Sequence, residues 1–291
     1  SVIRRDGADP SMKIAVLSDV HGNYPALLTV AEHVEAWQPD IVILAGDIVN
    51  RGPRSAECLA FVLAKQKEAN WQLVGGNHEE YVIAQSKPER PDEGPQAEIQ
   101  RASRWTYERI RQAMPILEAL PFSRELTGPR RDTLRVTHGS MLGTRDGIYP
   151  HTTSAELPAK IGEPLPAAFC VGHTHQPLVR TLNGTLVVNA GSVGLPFDGD
   201  WRASYAQLVW RGGQWQAHIV RLCYDRGQAE RDFHETGFLE QGGPLTRLML
   251  RELQIARGLI YSWAQMYEQA VLRGELGLAQ SVEQFLRDTN P

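Results

Sequence analysis

The chain has 291 residues, 42% of them apolar and 22% charged, with 30 basic against 34 acidic side chains. That balance suits a soluble globular protein of one large domain, or one domain with an appendage. It excludes a duplex nucleic-acid binder, which needs a basic face. No apolar run approaches a bilayer span, and Cys58, Cys170 and Cys223 are too few and too scattered for a disulfide frame or a zinc finger. Reduced thiols, a cytoplasmic location and no membrane partner are therefore expected.

Residues 1–11 are polar and charged, and Met12 can serve as a native start, so this stretch is read as a disordered leader or a cloning remnant. Residues 14–18 form the first short apolar, β-branched run that reads as a buried strand. Residues 25–37 follow with Ala26, Leu27, Val30, Val34 and Trp37 at helical spacing behind Pro25, which suits a first turn. A strand at 41–45, a helix at 56–66 and a strand at 72–74 repeat the pattern, which implies parallel pairing through right-handed crossovers. A Pro- and charge-rich loop at 86–96 then leads into a helix over about 97–118. Together they make an insertion at about 86–120. Strands are expected at 133–137, 168–171 and 185–189. Residues 205–210 and 214–221 alternate around Arg211-Gly212-Gly213 as an antiparallel hairpin. The sheets are thus mixed, parallel in the first half and antiparallel in the second. Residues 245–287 are helical in pattern with a break at Gly274 and Gly277, which divides the chain into a main domain at 12–240 and a helical extension at 241–291. That extension can pack on the main domain or serve as a homodimer interface.

Five clusters of metal-binding side chains fall where these apolar runs end: Asp19-Val20-His21, Gly46-Asp47, Gly76-Asn77-His78-Glu79, His138-Gly139 and Gly172-His173-Thr174-His175. They hold five of the nine histidines. Two carboxylates, an amide oxygen and five imidazoles suffice for two adjacent divalent metals, with one imidazole left for proton transfer. Residues two apart at a strand end point to the same side, so Asp19 with His21, and His173 with His175, can each grip one ion from a single segment. The C-terminal strand edges of parallel sheets are also where ligands bind. Mixed carboxylate and imidazole ligation suits manganese, iron, zinc, cobalt or nickel better than magnesium or calcium. Taken singly, each cluster could be an ordinary strand-ending turn. Five in this order are not.

In these motifs the chain resembles the calcineurin-like metallophosphoesterases, whose pattern runs D-x-H, G-D, G-N-H-[ED], a lone H and G-H-x-H. The resemblance covers about residues 12–222. It implies an α/β fold with mixed sheets in a four-layer α-β-β-α sandwich, here with a C-terminal helical appendage. It further implies that Asp19, His21 and His175 hold one metal, that Asn77, His138 and His173 hold the other, and that Asp47 bridges them. His78 would stay uncoordinated and face the substrate. The run Gly46-Asp47-Ile48-Val49-Asn50-Arg51-Gly52 is similar to G-D-x-x-D-R-G of protein Ser/Thr phosphatases and bacterial diadenosine tetraphosphate hydrolases, so Arg51 inherits a phosphate-binding role. Asn50 stands where that pattern has an Asp that orients the proton-donating histidine. His78 would then be a weaker acid-base partner or would rely on Glu79. Asn189 to Gly194 and His138-Gly139-Ser140 resemble segments of the small prokaryotic phosphodiesterase-like branch, and the former is read as mainly structural.

The function expected from the sequence is dinuclear-metal-dependent phosphoester hydrolysis, with a metal-bridging hydroxide attacking a phosphodiester or nucleotide-type substrate in line. Catalytic roles fall to His78, Arg51 and Asn50, and substrate contacts to Arg51, Asn77 and Arg145. The alternatives are a phosphomonoesterase or protein phosphatase with the same metals, or a non-catalytic binding scaffold. Arg101, Arg104, Trp105 and Tyr107 of the insertion could hold a nucleotide or dinucleoside polyphosphate, or could simply form a half-buried helix. Tyr149 is a further candidate beside Arg145.

Overall fold

The structure is a computed structural model that describes residues 11–290, so the expected leader lies outside the described residues except for Ser11. The chain opens with β1 (Met12–Leu17), α1 (Tyr24–Trp37), β2 (Ile41–Ala45), α2 (Ser55–Ala69) and β3 (Gln72–Val74). The helices α3 (Asn77–Ala84), α4 (Gly94–Ile99), α5 (Arg101–Ile110) and α6 (Met114–Glu118) follow. Next come β4 (Ser123–Thr127), β5 (Thr133–Thr137), α7 (Leu157–Ile161), β6 (Ala168–Val171), β7 (Leu178–Leu182) and β8 (Thr185–Asn189). The hairpin β9 (Ala203–Arg211) and β10 (Gln214–Leu222) leads to α8 (Arg226–Glu235), α9 (Phe238–Gln241) and α10 (Thr246–Ile255). Last are α11 (Ile260–Trp263), a π-helical stretch at Ala264–Glu268, α12 (Gln269–Leu272) and α13 (Leu278–Thr289).

Two five-stranded sheets result, in the orders β10-β9-β1-β2-β3 and β4-β5-β6-β8-β7. In the first, β1, β2 and β3 are parallel and the β9–β10 hairpin adds antiparallel beside β1. The second differs from the antiparallel half expected. Its centre, β5-β6-β8, is parallel, and only the edge strands β4 and β7 run the other way. Both edges went unseen in the sequence for a physical reason: β4 and β7 carry Arg124, Glu125 and Arg180 and are only half buried, so they lack an apolar run.

Each face of β1 is buried, and the period of two sorts its residues. Ile14 and Val16 pack between the sheets with Ile43, Val136, Cys170 and Val188, whereas Ala15 and Leu17 face the helical layer with Leu27 and Val30. On the outside of the second sheet, Phe169, Val171 and Val187 meet Leu157 and Ile161 of α7. This is a four-layer helix-sheet-sheet-helix stack. The C-terminal helices belong to its first helical layer, because Leu248, Leu253, Trp263, Val282 and Phe285 join the same apolar cluster as α1. Among the described residues no helix is long and apolar enough to cross a membrane.

The insertion is several short helices where one continuous helix was expected. Pro115 has no N–H to donate and its ring crowds the preceding turn, and the chain passes through a 3-10 turn at Arg111–Ala113. Helix α8, capped by the Asp225 side chain on the Gln228 amide, was missed because its sequence is too polar to show periodicity. The tail breaks at Gly274 as expected, and also at Ala256, which takes a left-handed φ of 52°. All five loops that carry the expected metal ligands leave the C-terminal ends of parallel strands, namely β1, β2, β3, β5 and β6, on one side of the paired sheets.

Candidate metal centre and substrate cleft

The expected convergence of Asp19 with His21, and of His173 with His175, is reached by a different backbone from the pleated strand end assumed above. All four residues, with Asp47, sit in the left-handed region at φ between 49° and 64°. Long-range hydrogen bonds hold the loops there. The Asp19 amide donates to Gly46 O at 3.1 Å, His21 N to Asp47 O at 3.0 Å and Gly194 N to Asp19 O at 3.0 Å. Asn189 donates to Gly172 O and Thr174 Oγ1, both at 2.8 Å, and the Ser192 hydroxyl donates to Asp19 O at 2.7 Å. The segment from Asn189 to Gly194 therefore braces the ligand loops. Gly172 lies so close to them that a Cβ there would stand 1.8 Å from Ser18 Oγ and 2.3 Å from Asp19 Oδ2.

Two groups of donor atoms gather in this frame: Asp19, His21 and His175, and Asp47, His138 and His173. A third, of His21, Asp47 and His78, joins them, and each set of ligand atoms lies within 4.8 Å. His175 Nε2 is 3.0 Å from Asp19 Oδ1 and 3.2 Å from His21 Nε2. Asn77 Oδ1 lies 2.9 Å from both His138 Nε2 and His173 Nδ1, and Asp47 Oδ2 is 3.2 Å from His138 Nε2. Three rings are fixed from behind by backbone carbonyls: His21 Nδ1 by Asn50 O at 3.3 Å, His138 Nδ1 by Ala45 O at 2.7 Å, and His175 Nδ1 by Leu195 O. A proton on each Nδ1 leaves the Nε2 lone pair pointing inward, the orientation a metal-ligating imidazole takes.

The electrostatics call for cations. Burial pushes both carboxyls up, but the surrounding imidazoles outweigh it, so His175, His21 and His138 hold Asp19 well below the usual range, and His138, His78 and His21 hold Asp47 low. Burial lowers His21 and His78 and takes His173 down to about 4, while the two carboxylates overcome burial at His138 and raise it to about 10. Two buried carboxylates thus share the site with imidazoles of which His21, His78 and His173 are pushed toward the neutral form. Asp19 Oδ1 is buried with no hydrogen-bond partner among the described residues, although the His175 and His21 rings lie 3.0 and 3.5 Å from it. Lone pairs aimed at one another in a buried site fit divalent metal ions, and the N/O donor set fits those of borderline softness.

His78 lies beside this cluster, its ring edge-on to His21 at 4.7 Å. Asn50 Oδ1 accepts from Arg51 N at 3.0 Å, which orients the amide so that Nδ2 donates to His78 Nδ1 at 3.1 Å and to Ser103 Oγ at 3.0 Å. Neutral His78 consequently carries its proton on Nε2. Glu79 does not serve His78. Its buried carboxylate accepts four backbone N–H bonds, from Asp47 and Gly76 at 2.8 Å, Ile48 at 2.7 Å and Val49 at 3.3 Å, and so shapes the Asp47 loop. Burial and the Asp47 charge push this carboxyl up to about 7 against those donors. Arg51 takes a φ of 67° and pairs with Glu252, a residue no sequence signal singled out. Arg145 pairs with Glu80 at 3.1 Å and donates to the Tyr81 hydroxyl at 3.1 Å.

A cleft of about 1050 Å³ opens over the cluster. One wall carries Asn50, Gln85, Gln100 and Ser103, the other Met249, Ile255, Leu259, Ile260 and Trp263 of the tail, with Phe197 and Tyr149 nearby. Arg145 does not line it, and neither do Arg101, Arg104, Trp105 or Tyr107. Trp105 is buried against Phe238 with Arg109 stacked on it, Arg101 bonds Gln241 O, and Arg104 bonds Asp92. This is the half-buried helix of the simpler reading.

Residues 12–211 match a family model described as the calcineurin-like phosphoesterase superfamily domain. The crystal structure of a metallophosphoesterase from Sphaerobacter thermophilus is similar, with 28% identity and a TM-score of 0.65 over 85% of this chain and 100% of that one. An uncharacterized protein of Methanocaldococcus jannaschii is 25% identical over 228 residues, 73% of this chain and 88% of that protein. A symmetrical bis(5'-nucleosyl)-tetraphosphatase of Buchnera aphidicola is 36% identical over 74 residues, a match that spans only 25% of this chain and 26% of that enzyme. The chain belongs to the calcineurin-like phosphoesterase superfamily, and with its buried His/Asp clusters it is a metallophosphoesterase.

Proposed function

We propose that this metallophosphoesterase hydrolyses a phosphodiester or nucleotide-type ester at a dinuclear centre. Asp19, His21 and His175 would hold one ion, Asn77, His138 and His173 the other, with Asp47 shared between them. The observation that carries this reading is the gathering of these donors in adjoining buried groups, one of which holds Asp19 Oδ1, a buried acceptor with no hydrogen-bond partner among the described residues. Manganese is the first ion to test, and iron, zinc, cobalt and nickel suit the same donors. Two such ions supply Lewis acidity toward a phosphoryl oxygen and acidify water at neutral pH.

The remaining roles belong to the chain. Arg51 binds a non-bridging phosphate oxygen through its free N–H groups and offsets charge as the pentavalent arrangement forms. His78 would point its Nε2–H at the leaving oxygen and stabilise the charge developing there by a hydrogen bond, and Asn50 keeps that proton on Nε2. Asn77, at the start of α3, lines the cleft and would contact the phosphate there. The reading treats residues 12–240 as the catalytic unit and 241–291 as an extension that walls its cleft.

The charge of the cleft supports a single phosphoryl group with a bulky uncharged substituent. Apart from Asp47, its ionised lining side chains are Arg51 and Arg257 against Glu252 and Glu268, which cancel. A polyphosphate chain would enter with several charges and meet few unpaired cations. The test is a panel on manganese-loaded protein: an aryl phosphodiester, an aryl phosphomonoester, cyclic nucleotides, a dinucleoside tetraphosphate and a phosphopeptide, with metal content measured on Asp47→Ala alongside. Faster diester turnover and loss of both ions from the variant are expected. Preference for the monoester or phosphopeptide would move the reading to a phosphatase, and an inert, ion-free protein would leave only a scaffold.

A further inference from the structure

We propose that Glu252, on α10 of the C-terminal extension, is a positioning residue for phosphate binding, acting by holding the Arg51 guanidinium in place; the inference rests on the phosphate-binding role proposed for Arg51. The Glu252 side chain is 0% exposed and that of Arg51 12%. Arg51 Nη2 donates to both carboxylate oxygens, at 2.9 and 2.8 Å, across 201 positions of sequence. The carboxylate is itself anchored, because Oε1 also accepts from Leu259 N at 2.7 Å and Ile260 N at 3.0 Å at the turn between α10 and α11. The Phe197 ring lies 5.5 Å from Arg51 Cζ and stacks on His175 at 4.2 Å. Arg51 is therefore held between an anchored carboxylate and a ring that packs on a proposed metal ligand. Its Nε and Nη1 groups have no protein partner among the described residues, and the residue lines the cleft.

Capping the turn at 259–260 needs only a neutral acceptor. A fully buried carboxylate is costly unless a cation meets it, and here the cation is the loop arginine itself. The pair is neutral, so it does not strengthen long-range attraction for an anion. What it does is fix the direction of the remaining N–H donors on a long side chain that starts from a left-handed loop residue. Orientation matters more for a planar fork than for a point charge.

The experiment is a double-mutant cycle on the full metal-loaded chain, with an aryl phosphodiester as substrate and inorganic phosphate as competing ligand. Glu252→Gln should lower kcat/KM by roughly 10- to 30-fold, the factor that freeing an arginine's rotamers costs, and raise the inhibition constant for phosphate by a similar factor. In an Arg51→Ala background the same change should do nothing further to either quantity. An equal loss in both backgrounds, or unchanged or higher kcat/KM in the single variant, overturns the positioning role. Wild-type kcat/KM in Arg51→Ala alone instead overturns the phosphate-binding role beneath it. To separate damage at the turn from loss of the pair, Glu252→Asp is run through the same cycle; it keeps the charge but shortens the reach, and the cycle subtracts any damage common to both backgrounds.

Discussion

Adjacent glutamates at the start of α3 allow a sharp test of how the Asp47 loop is built. Glu79 is 1% exposed, and its two oxygens take two backbone N–H bonds each from residues 47, 48, 49 and 76. Glu79→Gln keeps one carbonyl oxygen and replaces the other with an amino group, so two buried N–H groups lose their acceptor and face a donor. At about 1–3 kcal/mol for each buried unsatisfied group, the variant should lose about 2–6 kcal/mol of stability. Glu80→Gln is the control. Its carboxylate is 44% exposed, pairs with Arg145 at 3.1 Å and accepts from Thr144 Oγ1 at 2.8 Å, contacts worth about 1 kcal/mol or less at a surface. Urea denaturation at pH 8, above the value of about 7 to which the Glu79 carboxyl is raised, reads both variants against the parent, provided the slope stays constant. Metal retained after gel filtration should fall in Glu79→Gln, whose Asp47 loop is loosened, and not in Glu80→Gln. Equal midpoints for the two variants would refute the four-bond account, as would full metal retention by Glu79→Gln.

Other consequences can be checked directly. His78→Ala should slow esters with poor leaving groups far more than activated aryl esters, since the more basic leaving oxygen gains more from the Nε2–H hydrogen bond; equal losses would count against that role. Gly172→Ala would drive a Cβ into Ser18 and Asp19 and should cost at least 100-fold in activity with loss of bound metal, whereas an active variant would show that the loop can yield. Cys223 is exposed, while burial raises the thiols of Cys58 and Cys170, the latter to about 12. Native protein should take up one equivalent of iodoacetamide quickly and three once unfolded, and fast uptake of all three would contradict the packing.

The metal-binding residues were legible because punctuation and chemistry coincide: Gly, Asp, Asn and His stop a buried strand and also supply ligands. The parallel strands were legible for the same reason, each being an apolar run with a clear end. What stayed hidden depends on distance in sequence or on direction in space. Nothing near Glu252 marks it as the partner of Arg51, since a polar residue on an amphipathic helix ordinarily faces solvent. Glu79 follows His78 in the chain, yet its side chain leaves the helix start on the other side and turns to the 47–49 backbone. The Arg- and Trp-bearing helix of the insertion has the composition of a nucleotide platform, but Trp105 points into the core. Composition cannot tell a stacking surface from a buried one.

The backbone of the ligand loops explains why the rest of the fold has to be so extensive. His21, Arg51, His173 and His175 are all left-handed without the relief that Gly, Asn or Asp enjoys there. At about 1–2 kcal/mol for each such residue, the four cost roughly 4–8 kcal/mol. That is comparable with the whole net stability of a typical domain, about 5–15 kcal/mol. Local sequence cannot impose such a conformation, so the bonds that do must come from elsewhere: Gly194 and Ser192 onto Asp19, Leu195 onto His175, Phe197 N onto His175 O at 3.1 Å, and Glu252 onto Arg51. These partners arise from the loop between β8 and β9, which joins the two sheets, and from the tail. The strain is therefore met by the folded body before any ligand arrives, which leaves the site organised in advance and places residues far outside the five motifs under the same functional demand.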